Sequence, residues 1–293
     1  MKRISWLAFP TLSLSVWASP AKRATWNPPS NLVQPLTQVW NHEVATYNMN
    51  FKNFGYDQLI AAKGTAKVCV RWESTTQTVT EAQRAQVQTA IQRSYKKWID
   101  WFVGFDGFPY SSVPLSVVGW AVSNPSLLQG STSGIDVYTN RDSGGIPECN
   151  PACGRFFHQD NNYSGCPGGA ARHYDFSVWL TPGFGGGAGG DWGARIGTEY
   201  FMSNLNTENI HILLHELGHY FALDDFYDWT PTGVTNFIML AGSATQITDF
   251  DGWMARDWWR HLKSRYGIAK EGANSLEIEG SQAANLTWVD QEF

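Results

Sequence analysis

The chain has 293 residues, with 21 Lys and Arg against 26 Asp and Glu, and 43% of it is hydrophobic, which suffices for one large or two small globular domains around a sizeable core. A formal charge of -5 and a pI near 5.8, with no basic run after Arg23, exclude nucleic acid and an anionic membrane as the main partner. Only 16% of residues are charged, against 28 Gly, 15 Trp, 11 Tyr and 16 Phe, a balance suited to a secreted, loop-rich enzyme rather than a disordered chain.

In chain order, Met1-Lys2-Arg3 gives a short positive start, and the apolar run Ile4–Trp17 leads to Val16-Trp17-Ala18, so residues 1–18 read as a signal peptide. The run is shorter than the roughly 20 residues a membrane span needs, and Pro10 interrupts it. Lys22-Arg23 suits a dibasic processing protease, which puts a short pro-segment up to residue 23. Residues 19–64 read as an N-terminal extension packed on the main domain, with Pro28-Pro29, Pro35 and aromatics in no clear period. The main domain is expected over 65–293. Ala66–Trp72 has strand chemistry, and Thr80 with Gln83 forms a capping box for a long helix to about Phe102. Pro114–Val122, Gly134–Thr139 and Tyr174–Thr181 read as further strands, the last with Phe176, Val178 and Leu180 alternating on one face. The run Gly183–Gly190 lacks the Lys-Ser/Thr ending of a phosphate loop and reads as a flexible flank. Asn206-Thr207-Glu208 is expected to cap an apolar helix reaching about Leu223, and a last helix runs from about Asp251 to Tyr266, where Gly267 stops it.

Cys69, Cys149, Cys153 and Cys166 would pair as two disulfides in an oxidising compartment, with three connectivities open and Cys149–Cys166 looking like a stapled loop. Cysteine-ligated zinc is disfavoured because no Cys-x2-Cys pair exists. Asn162-Tyr163-Ser164 and Asn285-Leu286-Thr287 are glycosylation sequons.

The chemistry concentrates in His215-Glu216-Leu217-Gly218-His219. Histidines four apart stack on one helical face and can reach one zinc ion, with Glu216 turned toward a water on the metal. Such a match arises by chance in roughly one sequence per hundred or fewer. Ile210, Ile212, Leu213, Leu214, Leu217, Tyr220 and Phe221 make the helix apolar on most sides, so a buried His-Glu-His set needs a partner. His211, one turn earlier, reads as a surface or supporting histidine, since three ligands on one straight helix do not converge. Trp253, Trp258 and Trp259 read as core and rim packing before a sugar platform.

Reading on, His219-Tyr220-Phe221-Ala222-Leu223-Asp224-Asp225 places a carboxylate six residues after the second histidine. The segment resembles the metzincin pattern His-Glu-x-x-His-x-x-Gly-x-x-His/Asp, most closely the Asp-ending form of snapalysin-like secreted metallopeptidases. Met239, in Asn236-Phe237-Ile238-Met239-Leu240, stands where the family has its methionine turn, and the order of elements over about 65–267 follows the family. The resemblance implies an α+β zincin fold: a twisted mixed sheet, a long helix, an active-site helix, a Met turn and a C-terminal helix. It also implies zinc on His215, His219 and Asp225, a peptide substrate lying along the sheet's edge strand, for which Tyr174–Thr181 is the candidate, and Glu216 as general base. Ala222 replaces the family's Gly, so the turn is expected to differ in shape, with Asp224 and Asp228 as alternative third ligands. Asp257 is a remote alternative, since the Gly-Thr-x-x-Asp motif of another zincin type is missing. The reading is thus of a secreted, monomeric zinc endopeptidase. Its rivals are a glycan- or protein-binding module with structural zinc, which has no use for Glu216, and a hydrolase of non-peptide amides. The segment 24–64 contains no cysteine, which excludes a cysteine switch there.

Overall fold

A computed structural model describes residues 24–269; the expected signal peptide, Lys22-Arg23 and the Asn285 sequon lie outside them. The segment after Ala24 is helical where the sequence showed no period: α1 spans Val33–Thr46 and α2 spans Gly55–Ala61. Pro35 falls in the first turn of α1, where its missing N–H costs nothing. The buried stripe of α1 is Leu36, Val39 and Glu43, and a glutamate within the stripe hides it from a hydrophobicity count.

Next come β1 (Ala66–Trp72), β2 (Val79–Thr80) and α3 (Glu81–Phe102), then β3 (Leu115–Val122), β4 (Leu128–Gln129), β5 (Asp136–Tyr138), β6 (Asn140–Arg141) and β7 (Pro147–Glu148). The capping box forms as expected, with Thr80 Oγ1 accepting from Gln83 N at 3.2 Å and Thr80 N donating to Gln83 Oε1 at 2.9 Å. β8 (Phe176–Thr181), β9 (Gly187–Gly190) and β10 (Gly193–Gly197) follow, with α4 (Thr198–Ser203), α5 (His211–Tyr220) and α6 (Asp249–Leu262), which ends in a 3-10 turn over Lys263–Tyr266. No described helix is long and apolar enough to cross a membrane.

Six strands form one sheet in the order β5-β3-β1-β8-β10-β9, parallel except for β9, which runs antiparallel to β10. The chain is therefore α+β with a mostly parallel mixed sheet. Two expectations change here. Gly183–Gly190 is not a flexible flank, since its second half is β9 at the sheet edge. Tyr174–Thr181 cannot be the edge strand, because β8 pairs with β1 on one side and β10 on the other.

Val68, Val70 and Trp72 of β1 and Phe176, Val178 and Leu180 of β8 are buried in one core with Val87, Ile91, Tyr95, Trp98 and Phe102 of α3. The same core takes in Leu36, Val39, Tyr56 and Leu59 from the N-terminal helices, and Trp253, Trp258 and Trp259 of α6. Those three tryptophans, at most 9% exposed, are packing and not a sugar platform. A smaller cluster holds Cys69 and Tyr174 with the disulfides Cys69–Cys149 and Cys153–Cys166; the staple thus closes Cys153 to Cys166, while Cys149 ties the loop to β1. Asn162 is exposed.

Candidate metal centre

α5 begins at His211, later than the expected cap at 206–208. Thr207 Oγ1 donates to Asn204 Oδ1 at 3.0 Å and Glu208 pairs with Lys97 at 2.6 Å, so these side chains are engaged elsewhere and Ile210 precedes the helix without a side-chain cap. Leu213, Leu214 and Leu217 anchor the helix in the core, and Trp98 Nε1 donates to Leu214 O at 2.9 Å. This fixes the rotation of α5, so that residues 215, 216 and 219 face the cleft beneath β9.

The glycines of β9 permit that close approach. A Cβ added at Gly187 would collide with the Glu216 carboxylate, and one at Gly189 with the Glu216 backbone. Nothing in a periodicity count reveals such a need, because the requirement is the lack of a side chain.

The helix ends in a Schellman turn, with Ala222 N donating to His219 O at 2.9 Å and Leu223 N to Gly218 O at 3.1 Å. Ala222 takes φ +63°, the conformation for which glycine is favoured, at a cost of about 1 kcal/mol. The chain doubles back, and Leu223 O accepts from His219 Nδ1 at 2.8 Å. His215 Nδ1 likewise donates to Ile238 O at 2.7 Å. With both Nδ1 atoms bonded to carbonyls, the neutral tautomers leave both Nε2 lone pairs facing the cleft.

Those lone pairs meet a carboxylate. His215 Nε2 and His219 Nε2 stand 3.2 Å apart, and Asp225 Oδ1 lies 3.1 Å from the first and 3.5 Å from the second. Donors 2.0–2.1 Å from a tetrahedral zinc would stand about 3.3–3.4 Å apart. A triangle of two imidazole lone pairs and a carboxylate oxygen with those edges fits zinc in donor type and spacing, and leaves a fourth direction open. Glu216 Oε2 is 3.9 Å from His219 Nε2, farther than Asp225; ligand-type atoms of His215, Glu216 and His219 all lie within 4.8 Å of one another. Burial pushes the Glu216 carboxyl up to about 6 against the opposing pull of His215 and His219. Burial would also raise Asp225, but in the metal-free chain with Nε2 of both imidazoles protonated, their hydrogen bonds and charge outweigh it and hold that carboxyl well below its usual range.

The other acids are elsewhere. Asp224 is held by α1, with Tyr47 Oη donating to Asp224 Oδ1 and His42 Nε2 beside Asp224 Oδ2, both at 3.3 Å. Asp228 is exposed. Asp257 sits on α6 with Arg260 at 2.5 Å and His261 at 3.3 Å. His211 Nδ1 pairs with Tyr200 Oη at 2.9 Å, as a supporting histidine would.

Met239 is fully buried, and a Cβ added at Gly218 would strike its Sδ, so the methionine lies directly beneath the helix between the two histidines. Asp251, buried at the start of α6, accepts from Ile238 N at 2.9 Å and Met239 N at 3.2 Å. It therefore holds the turn whose carbonyl orients His215. The Thr248-x-x-Asp251 signature could have flagged it; nothing in the sequence flags His42 and Tyr47. Two cavities flank the His215–His219–Asp225 triangle along β9. One of 270 Å³ touches Gly187, His215, Glu216 and Tyr227, and one of 360 Å³ touches Gly189, Gly190, His219 and Ala222.

No protein-family model matches the chain, and no curated protein matches it. Ten chains of known structure match; among them is mirolysin in complex with compound 9, at 12% identity and a TM-score of 0.35, over 72% of this chain and 97% of that one. Likeness at that level assigns neither activity nor site.

Proposed function

We propose that the protein is a secreted zinc endopeptidase of the metzincin type, in which a signal peptide (1–18) and an N-terminal segment (19–64) precede the peptidase domain (65–293). His215, His219 and Asp225 would hold the zinc ion and Glu216 would act as general base on a peptide substrate. The observation that carries this reading is the triangle of two imidazole lone pairs and one carboxylate oxygen, 3.1–3.5 Å on its edges, beside a buried glutamate. The two disulfides agree with an extracellular setting.

Bound there, zinc would supply Lewis acidity and lower the pKa of a water to about 7. Glu216, as a carboxylate, would take a proton from the attacking water and pass it to the leaving amine. Ile238 O and Leu223 O keep the imidazoles in one tautomer and orientation. β9, paired on one edge only among the described residues, offers backbone donors and acceptors to an extended peptide laid across the cleft.

The test is Glu216→Gln, assayed on casein and a mixed peptide library with and without chelator. The variant should keep its zinc and its melting temperature while losing about 10²–10⁴-fold in turnover. Near-normal turnover, or chelator-insensitive hydrolysis by the wild type, overturns the reading.

A further inference from the structure

We infer that the 360 Å³ cavity on the His219 side is a substrate pocket for a large apolar side chain, aromatic before aliphatic, on the N-terminal side of the cleaved bond. The inference rests on the peptidase reading for the identity of its occupant. Three aromatic rings from the N-terminal segment, Tyr47, Phe51 and Phe54, wall the cavity, and His219 and Ala222 border it toward the metal-ligand triangle. Phe51 and Phe54 pack edge to face at 4.9 Å, and Tyr47 meets Phe54 at 6.2 Å in the same manner, so the wall is a continuous aromatic surface.

The wall is held in place from behind. Arg265 donates to Phe51 O at 2.7 Å. Gln58 Nε2 donates to Asn53 O at 2.8 Å and to Asp191 O at 2.7 Å, and Asn53 Nδ2 donates to Asp191 Oδ2 at 2.8 Å. These bonds lock the segment 51–58 to the β9–β10 turn, giving a preformed pocket. They also engage Asp191, a carboxylate at the rim, in holding the turn.

Direction follows from β9. The strand runs from Gly187, beside the 270 Å³ cavity, to Gly190, beside the aromatic one. Antiparallel pairing makes the more stable ladder, and a peptide so paired runs opposite to β9, so its residues before the scissile bond meet the aromatic wall.

The test uses the full chain, as wild type, Phe51→Trp and Phe51→Ala, with matched melting temperatures as the folding check. In a mixed-sequence peptide library, the wild type should enrich Phe, Tyr, Trp or Leu at one position N-terminal to the cut. For a peptide pair differing only as Phe or Ala at that position, the kcat/KM ratio should fall tenfold or more in Phe51→Trp, which narrows the cavity. It should fall less in Phe51→Ala, with preferences beyond the cut unchanged in both. Enrichment of Lys or Arg there, no enrichment, or a ratio indifferent to both substitutions overturns the inference. If the wild type cleaves no peptide, the peptidase reading fails alone, and calorimetric binding of the same two peptides decides the pocket. A Phe preference abolished by Phe51→Trp upholds it, and equal binding overturns it.

Discussion

Replacing Gly189 by alanine adds one methyl group where β9 crosses the backbone of α5. The new Cβ would stand 3.0 Å from both Glu216 C and Glu216 Cα, where ordinary contact begins at 3.4 Å, and it would meet the Glu216 carbonyl oxygen more closely still. These are backbone atoms of a helix packed against α3, so no rotamer change relieves them, and β9 must lift by several tenths of an ångström or more. Overpacking of this kind costs about 1–3 kcal/mol, and each kcal/mol moves the melting temperature by about 2–4 °C in a domain of this size. Activity should suffer more, because a displacement approaching 1 Å of a substrate-aligning strand can cost about 100-fold. Gly186→Ala is the matched control, since nothing among the described residues lies within 4 Å of its added Cβ. Melting curves and kcat/KM on one peptide, compared across wild type, Gly186→Ala and Gly189→Ala, check the reasoning. Equal values for all three would mean that β9 does not lie on the helix as described.

Met239→Ala should cost about 2–5 kcal/mol in denaturant unfolding, because the buried thioether fills the space left by Gly218; an unchanged midpoint would contradict that packing. Among the aspartates, Asp225→Ala should lose most of its bound zinc, Asp224→Ala less and Asp228→Ala none, measured as zinc per chain after dialysis. Full occupancy in Asp225→Ala would remove it as a ligand. Burial, reinforced by the charge of Asp224, pushes the Glu43 carboxyl from 4.5 up to about 9. The folded chain therefore keeps a proton that the unfolded chain releases, a stabilisation complete below about pH 4.5 and lost as pH rises through about 9. Glu43→Gln, which cannot ionise, should lose less melting temperature than wild type between pH 5 and 9, and identical slopes would refute this.

Some of this was legible in the sequence because it depends on local chemistry. The Thr80–Gln83 capping box, the alternation in β8 and the four-residue spacing of the histidines need no knowledge of distant partners. α1 escaped notice because its buried face includes Glu43, whose contacts lie on Asp224, far along the chain. β9 escaped because four residues without informative side chains carry no period, and only Glu216 passing underneath explains them. At Ala222 the residue type disfavours a left-handed conformation, yet two Schellman hydrogen bonds offset a penalty of about 1 kcal/mol.

The three candidate ligands fall within the eleven residues 215–225, which has a consequence for how a cation would couple to folding. A metal that bridges remote segments binds only the native chain and adds its whole affinity to stability. A cation gripping so short a stretch closes a small loop at little entropic cost, and the unfolded chain keeps part of that grip. Affinity shared by both states cancels from the linkage, so occupancy would raise the melting temperature by much less than the dissociation constant suggests. Chelation would then silence such a centre while leaving the surrounding architecture standing, held by the aromatic core that α1, α3 and α6 close around it.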